Sequence, residues 1–465
     1  MTLEDTGKKF WPIAEKMRME GMPDIAIANF ANHYQQLLGG RTGFIPETSI
    51  QAINDLASTD DLNDEHAALG DKALPNTVLL KLNGGLGASM GLDKAKSLIR
   101  VKESFSFLDI IAQHAIQSNV HLLLMNSFST REDSLQVLQK YPELLKAELA
   151  LDFVQHKVPK INQIDFTPAT NDNKLLEWCP PGHGDIYIAL VSSGMLNNLQ
   201  QAGYRYALIS NSDNLGAVLD TQLLGFMVEQ QLPFLMEVTD RTEADKKGGH
   251  LARTLDDRLI LRESAQCMDD DRSKFEDVKK HRYFNTNNLW IDLQQLQKTL
   301  ELNAYVLDLP LICNSKTVDP RDAHSSPVYQ LETAMGSAIG VFKGAQAIRV
   351  PRSRFAPVKT TSDLLLVQSD IYALNDNFTL SSKLPPSRIP NVNLDNHFFK
   401  LVDEFEARFP HGSPSLLDCE SLEVKGDIVF GKNIKISGNV ILDNSSGGQI
   451  IIPHDACIDE NLNWD

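Results

Sequence analysis

Positive charge is in short supply in this chain. Its 465 residues carry 44 Lys and Arg against 61 Asp and Glu, a formal net charge of −17 at pH 7. A surface of that sign repels nucleic acid and anionic membrane, so neither is expected as a partner. Cysteine is sparse too: Cys179, Cys267, Cys313, Cys419 and Cys457 are odd in number, scattered, and form no Cys-x-x-Cys pair. That pattern gives neither a disulfide framework nor a zinc site, and it suits reduced thiols in a cytoplasmic protein. No apolar run approaches the roughly 20 residues that a membrane-spanning helix needs. Met1-Thr2-Leu3-Glu4-Asp5 has no basic stretch leading into an apolar one, so no secretion signal is expected. No His-Glu-x-x-His helix is present, and nothing calls for a Ser/His/Asp or Cys/His set. Apolar residues, in contrast, make up 42% of the chain. The length prior is about three domains, ample for a large core.

The most informative segment is Lys81-Leu82-Asn83-Gly84-Gly85-Leu86-Gly87-Ala88-Ser89-Met90-Gly91, directly after the apolar run Thr77 to Leu80. A strand opening into a glycine-rich turn presents backbone N–H groups that bind phosphate oxygens. Two common readings fail on spacing. A dinucleotide fingerprint begun at Gly85 fits at Gly87 but then meets Met90, with Gly91 one residue late; a P-loop lacks its Gly-Lys-Ser/Thr. Lys96 follows five residues after Gly91. The segment therefore reads as a phosphate loop of neither type, with its own lysine.

Around this loop, short apolar strands alternate with helical patterns. Val120 to Met125 and Tyr206 to Ser210 read as strands, and Arg131 to Leu138 as a helix. Alternation of this kind predicts a mainly parallel sheet wrapped by helices, with ligands at the C-terminal strand ends. Gly84 and Asp213 would share that rim. Before it, Ile27, Phe30, Tyr34 and Leu37 form the apolar stripe of a helix begun near Pro23 and stopped by Gly39-Gly40. The polar stretch Ser58 to Lys72 reads as a surface loop. Past the linker Lys383-Leu384-Pro385-Pro386-Ser387, a helix is expected from Asn396 to Phe409. Then Leu422, Ile428, Ile434 and Val440 recur every six residues, as do Val424, Phe430, Ile436 and Leu442. A six-residue period predicts a short β-helix; a plain antiparallel meander is the alternative.

Five further blocks extend the pattern. They are Leu124-Met125-Asn126-Ser127-Phe128, Trp178-Cys179-Pro180-Pro181-Gly182-His183-Gly184-Asp185 and Asn211-Ser212-Asp213-Asn214-Leu215-Gly216, then Phe284-Asn285-Thr286-Asn287-Asn288-Leu289-Trp290 and Pro351-Arg352-Ser353-Arg354 through Lys359 to Gln368-Ser369-Asp370. In this order and with the loop, they make the chain resemble the UTP–glucose-1-phosphate uridylyltransferase family of the eukaryotic type. The resemblance covers most of the chain. It departs at Ala95, where the family usually has proline.

The resemblance implies an α/β fold: a mainly parallel, Rossmann-like nucleotidyltransferase sheet flanked by helices, ending in a short left-handed β-helix. Residues 1–60 would be a helical segment, 61–383 the catalytic domain, and 384–465 a linker helix with the β-helix. It implies Mg²⁺-dependent, reversible transfer of UMP from UTP to glucose 1-phosphate. Such chemistry needs no protein base, because a phosphate monoester, with a second pKa of about 6, is already an anionic nucleophile. Positioning, a metal and fixed cations should do the rest. The expected catalytic residues are Lys96, Lys359 and Asp213, with Asp213 as the metal ligand. UTP would be bound by Leu82, Asn83, Gly84, Gly85, Lys96, Gln155, Gly182, Asp213 and Lys359, with Gln155 reading uracil. Glucose 1-phosphate would be bound by His183, Asn211, Ser212, Glu263 and Asn285. Lys246-Lys247-Gly248-Gly249 matches a further family loop, and a solvated basic turn explains it equally well. The remaining alternatives are a pyrophosphorylase for N-acetylhexosamine phosphates or many UDP-sugars, and a silent nucleotide-sugar-binding protein. Relatives of the first kind usually carry an arginine in the glycine loop, and Ala88-Ser89-Met90 has none. A monomer is favoured, since Asp459, Glu460 and Asp465 discourage edge pairing; a homo-oligomer through the C-terminal domain is the alternative.

Overall fold

The computed structural model describes residues 3–41, 43–87, 90–146, 149–445 and 447–464. Ala88, Ser89 and Asp465 lie outside the described residues. The centre is one eleven-stranded sheet whose main run of strands, in chain order, is β1 (Ala57–Ser58), β2 (Thr77–Asn83), β3 (His121–Asn126), β4 (Asp152–Val154), β5 (Tyr206–Asn211), β6 (Phe234–Asp240), β7 (Tyr283–Asp292) and β8 (Gln346–Arg349). Their spatial order is β1-β8-β6-β7-β5-β2-β3-β4. Along this run all pair in parallel except β7, which runs antiparallel to both β5 and β6. Three short strands, Ile50–Gln51, His250–Thr254 and Leu259–Arg262, join off the run in antiparallel pairs.

Side chains alternate across the sheet, and the two faces carry two cores. Leu79, Leu122, Leu124, Leu208, Leu235 and Trp290 enter one. Val78, Leu80, Leu123, Ala207, Ile209, Met236 and Leu289 enter the other. Strands buried on both faces read as continuous apolar runs, which is why Thr77–Asn83 and Tyr206–Asn211 stood out in the sequence.

The N-terminal region holds two helices, Leu3–Met19 and Asp24–Leu38, and Pro23 stands one position before the second, as its N-cap. The stripe Ile27, Phe30, Tyr34 and Leu37 is buried as expected. The expected loop from Ser58 to Lys72 is corrected: Asp64–Ala73 is an α-helix, capped by Asn63. Its partner is the helix Thr221–Glu229. A Cβ at Gly70 would collide with the Thr221 carbonyl, and one at Gly225 with the His66 carbonyl. The two backbones touch at glycines, so the helix buries no apolar stripe and gives none to the sequence.

The expected helix from Asn396 to Phe409 is two helices, Asn396–Phe399 and Val402–Arg408, broken at Lys400-Leu401. Leu401 sits against the glycine loop, where a Cβ at Gly91 would lie 2.8 Å from its Cδ2.

Beyond these helices the chain stacks in parallel coils. Asn391–Leu394 pairs with Ser415–Gly426, which pairs with Lys435–Asn444, and Ile428–Phe430 pairs with Ile450–Ile452. Every pairing in this stack is parallel, which excludes the antiparallel meander. All eight residues of the six-residue repeat are buried, with exposures of 0–2%. They join the same apolar cluster as Leu79 and Trp290, so the coil stack and the sheet share one core.

Phe430 lies inside the stack, its ring stacked on Phe409 with centroids 4.5 Å apart. Phe430→Ala should cost about 3–5 kcal/mol, as deletion of a buried aromatic usually does. Urea unfolding followed by circular dichroism measures it, and a loss under about 1 kcal/mol would show that the stack does not contribute to the shared core.

Candidate active site

At the C-terminal end of β2 the chain turns at Gly84. A Cβ there would lie 2.7 Å from Oε1 of Gln155 and 2.9 Å from its Nε2, so the Gln155 amide rests on this glycine. Gln155 leaves β4 with its N–H donated to the Asn126 carbonyl at 2.8 Å. A Cβ at Gly85 would meet open space. The carbonyl of Gly85 accepts the Lys96 N–H at 3.1 Å, which folds the loop back over the strand end. Ala95 has φ −56°, the value proline would impose, so the loop keeps a proline-like bend without proline. Leu82 is buried in the strand, and the Asn83 amide donates to Asn126 and Ser134, which hold the strand end below the turn.

β5 ends beside β2 in parallel register, Asn211 opposite Leu82, and Ser212 N–H donates to the Leu82 carbonyl at 3.1 Å. The next residue is Asp213. Its carboxylate lies 2.7 Å from the Lys96 Nζ, with about a fifth of each side chain exposed. The expected lysine and carboxylate, 117 residues apart, thus meet on one rim. Among the described residues no group of three or more His, Cys, Asp or Glu could hold a metal, so Asp213 is a lone carboxylate.

Lys359 reaches the same rim from elsewhere. The Val358 N–H donates to the Asp213 carbonyl at 3.3 Å, and Asn214 bridges to Pro357. Lys359 is exposed, its own N–H bound to Asp363 at 2.9 Å at the start of the helix Thr361–Gln368. Its charge faces Glu263. Burial raises the Glu263 pKa, while a hydrogen bond from Asn285 and the field of Lys359 oppose that rise. Glu263 packs on Gly249, where a Cβ would lie 2.5 Å from its Oε2. The Lys246 to Gly249 loop therefore has a role beyond charge: its last glycine makes room for Glu263.

Pro181 to Asp185 forms a turn with Gly182 at φ +80°, and Gly182 and Gly184 both press on Thr333. His183 Nδ1 accepts the Met335 N–H at 2.9 Å, which leaves the ring proton on Nε2. Burial pulls its pKa down to about 4, so it is a neutral donor at physiological pH. Gly336, next to Met335, is packed near Asn285. Asn285 and Lys359 thus both act on Glu263, and the Met335-Gly336 backbone that binds His183 packs near Asn285.

The sequence reading missed what lies beneath. Glu237, wholly buried in β6, accepts from Arg354 at 2.6 and 2.7 Å, Trp290 at 2.8 Å and Asn288 at 3.0 Å. Asn214 donates to Asn288 and to the Arg354 carbonyl, both at 3.1 Å. Lys81 donates to Ser210 at 2.7 Å and Ala217 at 2.9 Å; burial first, then Arg354, bring its pKa down to about 7. The available signal was a charged residue inside an apolar strand: Glu237 in Phe234 to Val238, Lys81 in Val78 to Leu82.

A mixed sheet with a glycine turn, a Lys–Asp pair and flanking cations at its C-terminal rim defines a nucleotide-binding α/β transferase. Residues 27–437 match the family model for UTP–glucose-1-phosphate uridylyltransferase. The chain belongs to that family. It is 41% identical over 397 residues to the UTP–glucose-1-phosphate uridylyltransferase of Pyrus pyrifolia, covering 83% of this chain and 82% of that one. The Saccharomyces cerevisiae enzyme of that name is 40% identical over 397 residues, covering 83% and 77%. A point mutant of Leishmania major UDP-glucose pyrophosphorylase, solved with UDP-glucose, superposes with a TM-score of 0.90 at 41% identity, covering 98% and 99%. A Trypanosoma brucei UDP-glucose phosphorylase superposes with a TM-score of 0.87 at 43% identity, covering 98% and 100%.

Beside the pocket, Glu47 bonds Lys280 and His281, which against burial hold its pKa down to about 2. His250 stacks on His281 at 3.9 Å, and burial, then His281 and Arg241, push it well below 6.5. An unfolded chain takes up protons at both groups before the folded one can, so both lose stability as pH falls. The melting temperature should decline from about pH 6.5 for His250 and further below about pH 4.5 for Glu47. Thermal scans from pH 8 to 4 measure it, and a flat profile across pH 7 to 5 would remove the buried histidines from the account.

Proposed function

We propose that this site transfers UMP from UTP to glucose 1-phosphate, reversibly giving UDP-glucose and pyrophosphate. The observation that carries the reading is the meeting of Lys96, Asp213 and the Gly84 turn on one rim, with Gln155 on one side and Lys359 on the other. An oxygen of the sugar phosphate forms a bond to the α-phosphorus, the bond from that phosphorus to the bridging oxygen breaks, and pyrophosphate leaves. Three anionic groups meet in this step, so fixed cations dominate its barrier. Leu82 to Gly85 supply main chain to the nucleotide, and Gly182 lets the turn approach it. Gln155 offers an amide donor and acceptor to the uracil edge. Lys96 faces the departing pyrophosphate. Lys359 lies between the α-phosphate and the sugar phosphate. His183, as a neutral donor, binds the sugar phosphate with Asn211 and Ser212, while Glu263 and Asn285 take glucose hydroxyls.

Asp213 fits a Mg²⁺ ion. Its carboxylate already has a cation, the Lys96 ammonium, at 2.7 Å. One carboxylate suffices for Mg²⁺, which keeps water and substrate oxygens as its other ligands. When bound, the ion would neutralise phosphate charge. Residues 1–60, 61–383 and 384–465 are taken as the three domains and the coil stack as left-handed, supported by its six-residue period. A monomer fits the exposed Asp459 and Glu460 at the end of the stack, and a cytoplasmic location fits the free cysteines.

The test is pyrophosphate release from UTP with glucose, galactose and N-acetylglucosamine 1-phosphates, with and without a chelator. Glucose 1-phosphate should be the best substrate and chelation should stop turnover; preference for the N-acetylated sugar would move the enzyme to the hexosamine branch. Lys359→Ala should lower kcat by about 10²–10³ with little change in UTP affinity, because its charge acts where the transition state gains it. Lys359→Arg should rescue only partly. Steady-state kinetics with calorimetric UTP binding separates the two effects, and a normal kcat for Lys359→Ala removes this lysine from the mechanism.

A further inference from the structure

We propose that Asp185 and His156 are positioning residues that fix the base-reading amide of Gln155, with Ser192 hydrogen-bonded to His156. The proposal rests on the assignment of Gln155 to uracil. Asp185 commits both carboxylate oxygens to a single neighbour. Its Oδ2 accepts the His156 N–H at 2.7 Å, and its Oδ1 accepts from the ring Nδ1 at 2.8 Å. Nε2 of the same ring lies 2.9 Å from the Ser192 hydroxyl. The His156 and Asp185 side chains are 8% and 7% exposed. A carboxylate only accepts, so Nδ1 carries a proton and the tautomer is fixed.

The set has the residue types of a hydrolytic triad, but its place in the chain gives it another task. Gln155 immediately precedes His156. Its own N–H is held by the Asn126 carbonyl at 2.8 Å, and its amide rests on Gly84. Gln155 is therefore held at both of its flanking peptides, the one before it by Asn126 and the one after it by Asp185. Asp185 belongs to the turn of Gly182 and His183, which is seated on Thr333 and Met335. One carboxylate ties the base-reading residue to the sugar-side turn.

Uracil and cytosine differ, along the edge an amide reads, in which atoms donate. A fixed amide can tell them apart; one free to turn over accepts both. Loss of the Asp185–His156 contact should thus fall on nucleotide choice and KM, and spare the chemistry at phosphorus.

The experiment compares kcat/KM for UTP and CTP in full-length variants. His156→Ala and Asp185→Asn should lower the UTP:CTP ratio by about tenfold or more. The change should lie in the KM for UTP, with kcat kept within about threefold. His156→Asn, whose side-chain N–H can replace Nδ1–H toward Asp185, should restore most of the ratio. Gln155→Ala is the reference. If it leaves the ratio unchanged, the assignment of Gln155 to the base is wrong and the proposal goes with it. If Gln155→Ala lowers the ratio and His156→Ala does not, the positioning role is overturned while the base assignment stands. If His156→Asn is no better than His156→Ala, the Asp185 bond is not what holds the amide. Should Asp185→Asn fail to fold, the two His156 variants decide alone.

Discussion

The buried carboxylate of Glu237 is the contact on which the active rim depends. It sits in β6 and draws in Trp290 and Asn288 from β7 and Arg354 from the segment that leads to Lys359. Asn288 and the Arg354 carbonyl then hold Asn214, the residue after Asp213. Three stretches far apart in sequence are thereby locked into one arrangement, and each ends in a residue assigned to the chemistry. Removing one partner of such a pair leaves a charge in the core without compensation, typically costing 3–5 kcal/mol. The antiparallel β7 also becomes intelligible. It brings Asn285 beside Glu263 and Asn288 to Glu237 on one strand, with a register shift between Glu237 and Val238 separating the two contacts.

A chain of net charge −17 must bind two polyanions, and the site resolves this locally. Lys96 and Lys359 stand at the rim, glycine turns expose N–H groups, and Arg354 is neutralised from below so that it does not compete. His183 is kept neutral by burial, so it can act there as a hydrogen-bond donor without adding charge. Lys81, close to neutral pKa beneath the rim, sits where its charge feels Asp213 and Arg354 together.

What the sequence disclosed follows from how each feature buries its surface. The strands β2 and β5 are apolar on both faces, and the six-residue repeat points eight side chains inward, so both patterns were plain. Arg131–Leu138 was read to the residue. The helix Asp64–Ala73 was missed because its contact is made by Gly70 against the Thr221 carbonyl, and a glycine contact has no hydrophobic period. The Asn63 cap with Asp64 and Glu65 was the signal to use. Lys96, Asp213 and Lys359 came from motif resemblance; spacing alone would have left them as turn and surface. Glu237, Arg354 and Asp185 act through partners about 117, 117 and 29 residues away, and pairings of that range cannot be read from one sequence.

The Lys96–Asp213 and Arg354–Glu237 pairs set the same kind of contact in two environments. Lys96 and Asp213 neutralise each other at 2.7 Å while remaining about a fifth exposed. Water reaches this pair at the rim and screens it more than it could a pair sealed in the core. Parting the pair therefore costs less than parting one sealed in the core. A phosphate can take the ammonium and a hard cation the carboxylate, each exchanging a screened contact for a stronger one inside a filled cleft. A deeper pair, like Arg354 with Glu237, could not open in this way. The same chemical pair is thus used twice, sealed in the core where the frame must not move and partly exposed at the rim.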